Sequence, residues 1–185
     1  TQEFRNKVST VLAKNGEGLA GANYSMGSMA GIHKTHPDWK IIATESASPS
    51  NSRGIYNTLS QYNKTGDYQC TAYDTNAVSW GNTARESWWY TIKDDFVSGE
   101  FIWTGFDYIG EPTPWNGTGT GSVSGDKLAV PNSSYFGVID TAGFEKDSFY
   151  FYTSQWREDK KTLHVVPQSW NAEDLSISGG KVPVY

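Results

Sequence analysis

Phe4, Val8, Val11 and Leu12 recur at i, i+4, i+7 and i+8, which predicts one face of an amphipathic helix ending at Asn15-Gly16. Leu19 to Tyr24 (LAGANY) is an apolar run of strand length, and the stretch after it, with Gly27, Gly31 and Pro37, reads as a loop. Trp39 to Ala43 (WKIIA) is a second apolar strand. Its end in Thr44-Glu45-Ser46 sets a carboxylate where a buried strand meets a loop. From Ser46 to Asn82 the chain turns to Ser, Asn, Thr, Gly and Tyr, too long a stretch for a plain connection and therefore functional or carrying small elements of its own. Thr83-Ala-Arg-Glu86 has the form of a capping box, with Trp88, Trp89, Ile92 and Phe96 at helical spacing behind it and Gly99 as terminator. Phe101 to Trp103 (FIW) restarts as a strand, and a second long Gly, Pro, Asn and Thr loop runs to Asn132. Phe136 to Ile139 reads as a short strand, and Asp147 as the cap of a helix bearing Phe149, Tyr152 and Trp156. Leu163 to Val166, with Pro167 and Trp170, alternates like antiparallel sheet.

Helix, strand, loop, strand, long loop, helix, strand, long loop, helix is an α/β alternation, which predicts a parallel sheet. Helices with one apolar face and near-continuous apolar strands fit part of a (β/α)8 barrel, although a whole barrel needs roughly 250 residues. A small open sheet with oversized loops satisfies the same pattern. In a barrel the loops after the strands build the active face, and here the long loops follow strands.

Composition narrows the classes. The 185 residues carry a net charge of -5 and 8 Trp, 11 Tyr and 8 Phe, too much apolar surface for a disordered chain and enough length for a core. The 15 Lys and Arg form no basic run, which argues against nucleic acid or an anionic membrane as partner, and no apolar run is long enough to span a bilayer. One cysteine, Cys70, excludes an internal disulfide and a multi-cysteine zinc site. With no initiator Met, the opening residues read as the middle of a longer polypeptide.

Glu45 is the leading candidate for chemistry. A carboxylate at the C-terminal end of a buried strand, beside Thr44, Ser46 and Ser48, suits a nucleophile or a general acid/base. The plain alternative is a strand-end acid that caps or pairs. Sugar rings present C–H faces that pack on aromatic rings, and Trp103, Tyr108 and Trp115 fall on or beyond a strand end in WTGFDYIGEPTPW; the alternative for Trp103 is the core. His33, His36 and His164 lack ligand spacing with carboxylates or Cys70 and read as surface or packing residues. Asp94-Asp95 falls late in the expected helix, against its dipole. The sequons at Asn63, Asn116 and Asn132 matter only in a eukaryotic secretory setting.

The segments IIATESAS (41 to 48), SRGIY (52 to 56), SGEFIWTGFDYIGEPTPW (98 to 115) and SSYFGVIDTAGFEKDSFYFYTSQW (133 to 156) resemble the last barrel strands of glycoside hydrolase family 2, in particular its bacterial β-galactosidase-like members. The resemblance covers nearly the whole chain, with several motifs in the family's order. It implies the C-terminal portion of a (β/α)8 TIM barrel in residues 1–159, followed by the start of a β-sandwich in 160–185. It implies Glu45 as catalytic nucleophile, Tyr24 as the tyrosine that hydrogen-bonds it, Trp103 lining the sugar subsite with Tyr108 and Trp115 beyond it, and Asp140 bordering the sugar 6-hydroxyl.

The implied activity is removal of terminal β-galactosyl residues by a retaining mechanism, which needs two carboxylates about 5 Å apart. The family's acid/base Glu stands in an Asn-Glu pair, and no such pair occurs in the 185 residues, so the remainder of the same polypeptide is an expected partner besides the glycan. No motif requires a cofactor or resident metal; the resemblance leaves room for a monovalent or divalent cation near the site. A bacterial secreted or cell-surface setting is favoured over the cytoplasm. The alternatives are a β-glucuronidase, for which Arg53 is the one cation near the Glu45 loop, and a non-catalytic carbohydrate-binding module, which predicts almost no helix.

Overall fold

Ala20 and Ala22 on one strand and Ile41 and Ala43 on the next alternate inward with period two, and this is the origin of the small sheet in the computed structural model, which describes residues 18–59, 68–115 and 131–185. The helix expected over Phe4 to Leu12 and the sequons at Asn63 and Asn116 lie outside the described residues. The chain divides into two units: Thr1–Ser46 with Glu86–Ile102, and Ala47–Arg85 with Trp103–Tyr185.

In the first unit, β1 (Leu19–Asn23) pairs in parallel with β2 (Lys40–Ala47), and β2 lies between β1 and β3 (Val97–Trp103). The expected loop at Gly27 and Gly31 is instead a turn of 3₁₀ helix, Met26–Ser28, running into helix α1 (Met29–Thr35). Met26, Met29 and Ile32 are spaced three apart and pack on Ala20, Ala22, Trp39, Ile41 and Ala43, and that burial outweighs the weak helix propensity of two glycines. Full burial of a side chain such as Ile41 contributes about 1.5–3 kcal/mol. His33 stacks on Phe96 with ring centroids 4.0 Å apart, and His36 on Trp39 at 3.8 Å, so both histidines are packing residues.

β2 continues four residues beyond Ala43, so Glu45 lies within the strand near its end. Helix α2 (Ala84–Ile92) starts directly after Thr83, as expected, and Asp74 supplies a feature the local sequence does not show: its carboxylate accepts from the amides of Ala84 and Arg85, both at 2.9 Å. The helix stops at Ile92, so Asp94 and Asp95 fall in the turn after it, and Gly99 is a residue of β3 rather than a terminator. Its inward residues are Ala84, Ser87 and Thr91, whereas Trp89 and Ile92 are exposed.

The second unit relies on hydrogen bonds more than on regular strands. Residues 136–139 form no strand, yet they run beside 104–107 through Thr104 N to Phe136 O, Val138 N to Thr104 O, Ile139 N to Gly105 O and Asp107 N to Ile139 O. A Cβ on Gly137 would lie 2.0 Å from the Asp107 nitrogen, so only glycine permits this approach. Helix α3 (Asp147–Trp156) forms where expected, but Asp147 is its first residue and not its cap. Its buried carboxylate accepts from Tyr56 Oη at 3.0 Å and contacts His164 Nε2 at 2.6 Å, and those partners outcompete the cap. His164 in turn stacks on Tyr150 at 3.9 Å. Tyr56, Ala72, Tyr73 and Val166 form the apolar cluster here, with Tyr185 against it. After residue 160, Leu163 to Val166 is not a strand; a single antiparallel bridge joins Val165 to Val184, and a helix, α4 (Ala172–Ile177), follows.

Candidate active site

Glu45 owes its position to a slip in strand register. β1 and β2 align from Leu19 opposite Lys40 to Ala22 opposite Ala43, and a bulge then sets Asn23 opposite Glu45. Asn23 Nδ2 thereby reaches Glu45 Oε2 at 3.3 Å, and the Tyr24 amide donates to the Glu45 carbonyl at 2.9 Å. Tyr24 adopts a left-handed φ of 46°, turning the chain away from the sheet at the C-terminal edge of the parallel pair. Tyr24 and Glu45 are thus neighbours, both half-buried at the strand ends where α/β sheets bind ligands.

The next residue points the other way. Ser46 Oγ donates to Glu100 Oε2 at 2.8 Å, and Ser87 Oγ donates to the same oxygen at 2.6 Å. Burial pushes the Glu100 carboxyl above its ordinary range, against the pull of these bonds. Sequence reasoning missed Glu100, which sits two residues before the aromatic stretch with nothing local to mark it as enclosed.

In the second unit Trp103 and Tyr108 meet edge to face, centroids 5.9 Å apart, with Trp103 36% exposed. The Tyr108 hydroxyl donates to Glu111, which also accepts from Thr113. Trp115, expected beyond the sugar subsite, is 3% exposed and makes T-shaped contacts with Tyr68 and Tyr135, centroids 5.3 and 5.9 Å apart.

Asp140 is also engaged internally. Its Oδ1 accepts from the amides of Ala142 and Phe144, each at 2.9 Å, and its Oδ2 accepts from Arg53 Nε at 2.7 Å. Burial alone raises this carboxyl, and the three donors outweigh it and hold the group below the usual range. Asp140 and Arg53 border a cavity of about 280 Å³ whose wall includes a second ion pair, Lys146 Nζ to Asp107 Oδ2 at 2.6 Å. Burial pushes Asp107 up and Lys146 down, and their mutual attraction opposes both shifts. Lys146 also donates to the carbonyls of Asn51 and Tyr135, and Asp107 accepts from Gly137 N at 2.7 Å. Neither Asp107 nor Lys146 is legible as a site residue in the sequence, since a charged pair distant in the chain carries no local pattern.

No family model matches the chain. It is 38% identical over 164 residues to beta-galactosidase BoGH2A of Bacteroides ovatus, an alignment covering 83% of this chain and 18% of that protein. A Formosa agariphila protein that carries a beta-glucuronidase name provisionally is 35% identical over 117 residues, 62% of this chain and 10% of its own. Among solved structures, a beta-glycosidase from Bacteroides vulgatus superposes with a TM-score of 0.60 at 26% identity, covering 80% of this chain and 21% of that one. The chain spans less than a fifth of the curated relatives it matches. It belongs to glycoside hydrolase family 2.

Proposed function

We propose that the chain is the C-terminal part of the (β/α)8 barrel of a retaining glycosidase that removes terminal β-galactosyl residues, with residues 160–185 opening a following β-rich domain. The observation that carries this reading is Glu45 at the C-terminal end of a parallel strand, oriented by Asn23 and beside Tyr24. Glu45 attacks the anomeric carbon, the glycosidic C–O bond breaks, and a covalent glycosyl-enzyme forms. A carboxylic acid elsewhere in the polypeptide protonates the leaving oxygen, and water then releases the sugar. Trp103 and Tyr108 present an aromatic edge and face of the kind that packs on a sugar ring. Exposed Leu19, Trp89, Ile92 and Phe101 in the first unit support a larger body around this fragment.

The test is kcat for an aryl β-galactoside in the intact enzyme. Glu45→Gln keeps the size and polarity of the side chain but removes the attacking oxygen, so the loss is expected in kcat. Azide is expected to restore turnover to Glu45→Ala with inverted product, read by NMR. A Glu45→Gln enzyme that keeps more than about a tenth of kcat, a deficit under about 1.4 kcal/mol, sinks the assignment.

A β-glucuronidase is the second reading, favoured by the name of the Formosa relative. The carbohydrate-binding module finds no support, because the described residues carry helices of 9 and 10 residues at α2 and α3.

A further inference from the structure

Asn23 holds the Glu45 side chain loosely. Its Nδ2 lies 3.3 Å from Glu45 Oε2 in an exposed contact, at the point where the bulge interrupts the ladder between β1 and β2. The next residue is tied more firmly. Ser46 is fully buried and donates from Oγ to Glu100 Oε2 at 2.8 Å, with the Phe101 carbonyl 3.3 Å away. Glu100 and Phe101 belong to β3, the neighbour of β2 in the sheet. Ser87 of helix α2, also fully buried, donates to the same Glu100 oxygen at 2.6 Å. One carboxylate oxygen thus joins the end of β2 to a strand and to a helix.

We propose that Glu100 is a positioning residue, which holds Ser46 so that the Glu45 carboxylate beside it in the strand is aimed for attack. This rests on the reading of Glu45 as nucleophile. Successive side chains of a strand take opposite faces, so fixing Ser46 on one face fixes the backbone rotation that directs Glu45 on the other. Hydroxyl bonds to a carboxylate are short and about twice as strong as neutral ones, a stiffer tether than the Asn23 contact. Stability is a poor reason for an acid in this place. Enclosing a carboxyl is costly unless its oxygens are paired, and Glu100 Oε1 is buried with no hydrogen-bond partner among the described residues. Geometry is the better reason, because a displacement of about 1 Å at a reacting group costs about a hundredfold in rate. Glu100 therefore sets the rate of attack without touching the substrate.

The experiment uses the intact enzyme and a 2-deoxy-2-fluoro-β-galactoside with a dinitrophenolate leaving group. A Glu45 oxygen attacks the anomeric carbon, the bond to the leaving oxygen breaks, and the phenolate departs with the electron pair and needs no proton. The fluorine slows release of the sugar, so the adduct accumulates and mass spectrometry locates it. At saturating reagent, inactivation has a first-order constant that does not depend on how much of a preparation is folded. A merely structural role lowers the amount of active enzyme and leaves that constant unmoved. Glu100→Met and Ser46→Ala are each expected to lower it about tenfold or more, with the half-saturating concentration within about threefold of wild type. Glu100→Gln keeps an acceptor oxygen for both hydroxyls and is expected to react at least about threefold faster than Glu100→Met. The double variant Ser46→Ala/Glu100→Met is expected to be no slower than the slower single, because the two residues act in series. Ser46→Ala is the milder change and carries the test by itself if Glu100→Met does not fold. Label on Glu45 at rates within about twofold of wild type in these variants, or losses that multiply in the double variant, overturns the positioning role alone. Label on another residue of the wild type, or on none, overturns the nucleophile reading and the positioning role with it.

Discussion

Replacing Lys146 by Met keeps most of the side-chain length and removes the ammonium from a place where it is 2% exposed and touches Asp107 Oδ2, Asn51 O and Tyr135 O. Among the described residues, the Asp107 carboxylate, 8% exposed, is left with the Gly137 amide as its remaining donor. Breaking a buried pair from one side costs about 3–5 kcal/mol, chiefly because the surviving charge has no compensation. At 1.36 kcal/mol per decade this is an increase of about 150- to 5,000-fold in the population of the locally opened state. Hydrogen exchange in the intact enzyme reads it at the peptide holding Gly137 and Lys146, whose amides bond Asp107 Oδ1 and the Val138 carbonyl. The double variant Lys146→Met/Asp107→Asn removes both charges and is expected to exchange more slowly than Lys146→Met alone. Exchange within about tenfold of wild type in the single variant, or a double variant worse than the single, refutes the claim that an uncompensated charge sets the cost.

Burial raises the Glu100 carboxyl, so the native state binds more protons than the unfolded chain between the unfolded value and the raised one, and stability falls as pH rises through that window. Glu100→Gln is therefore expected to gain melting temperature relative to wild type on going from pH 4.5 to pH 8, and a gap that stays constant or narrows rejects this. Cys70 is fully buried and its thiol is pushed up to about 12, mainly by burial, so native protein is expected to react with a disulfide reagent orders of magnitude more slowly than denatured protein. Comparable rates in the two states would show that the thiol is open to solvent.

The parts of this chain legible in sequence are those held by neighbours in sequence. LAGAN and KIIA alternate correctly for two strands, ARESWWYTI and DSFYFYTSQW form helices where their spacing puts them, and the family motifs stand in linear order. Local patterns also misled, as at Gly27 and Gly31, where Met26, Met29 and Ile32 decide for helix once a sheet exists to pack on. The site divides in the same way. Glu45 is visible as a strand-end carboxylate, but its orientation depends on a register slip that pairs it with Asn23, 22 residues away. Trp115 reads like Trp103 in composition, and only packing between Tyr68 and Tyr135 buries it. Arg53 binds Asp140 from 87 residues earlier, and Asp107 with the carbonyls of Asn51 and Tyr135 encloses Lys146, partnerships that no local pattern marks. Propensity and periodicity act over a few residues and are written in the sequence. Desolvation and charge pairing act through space, and only the tertiary structure decides which groups share them.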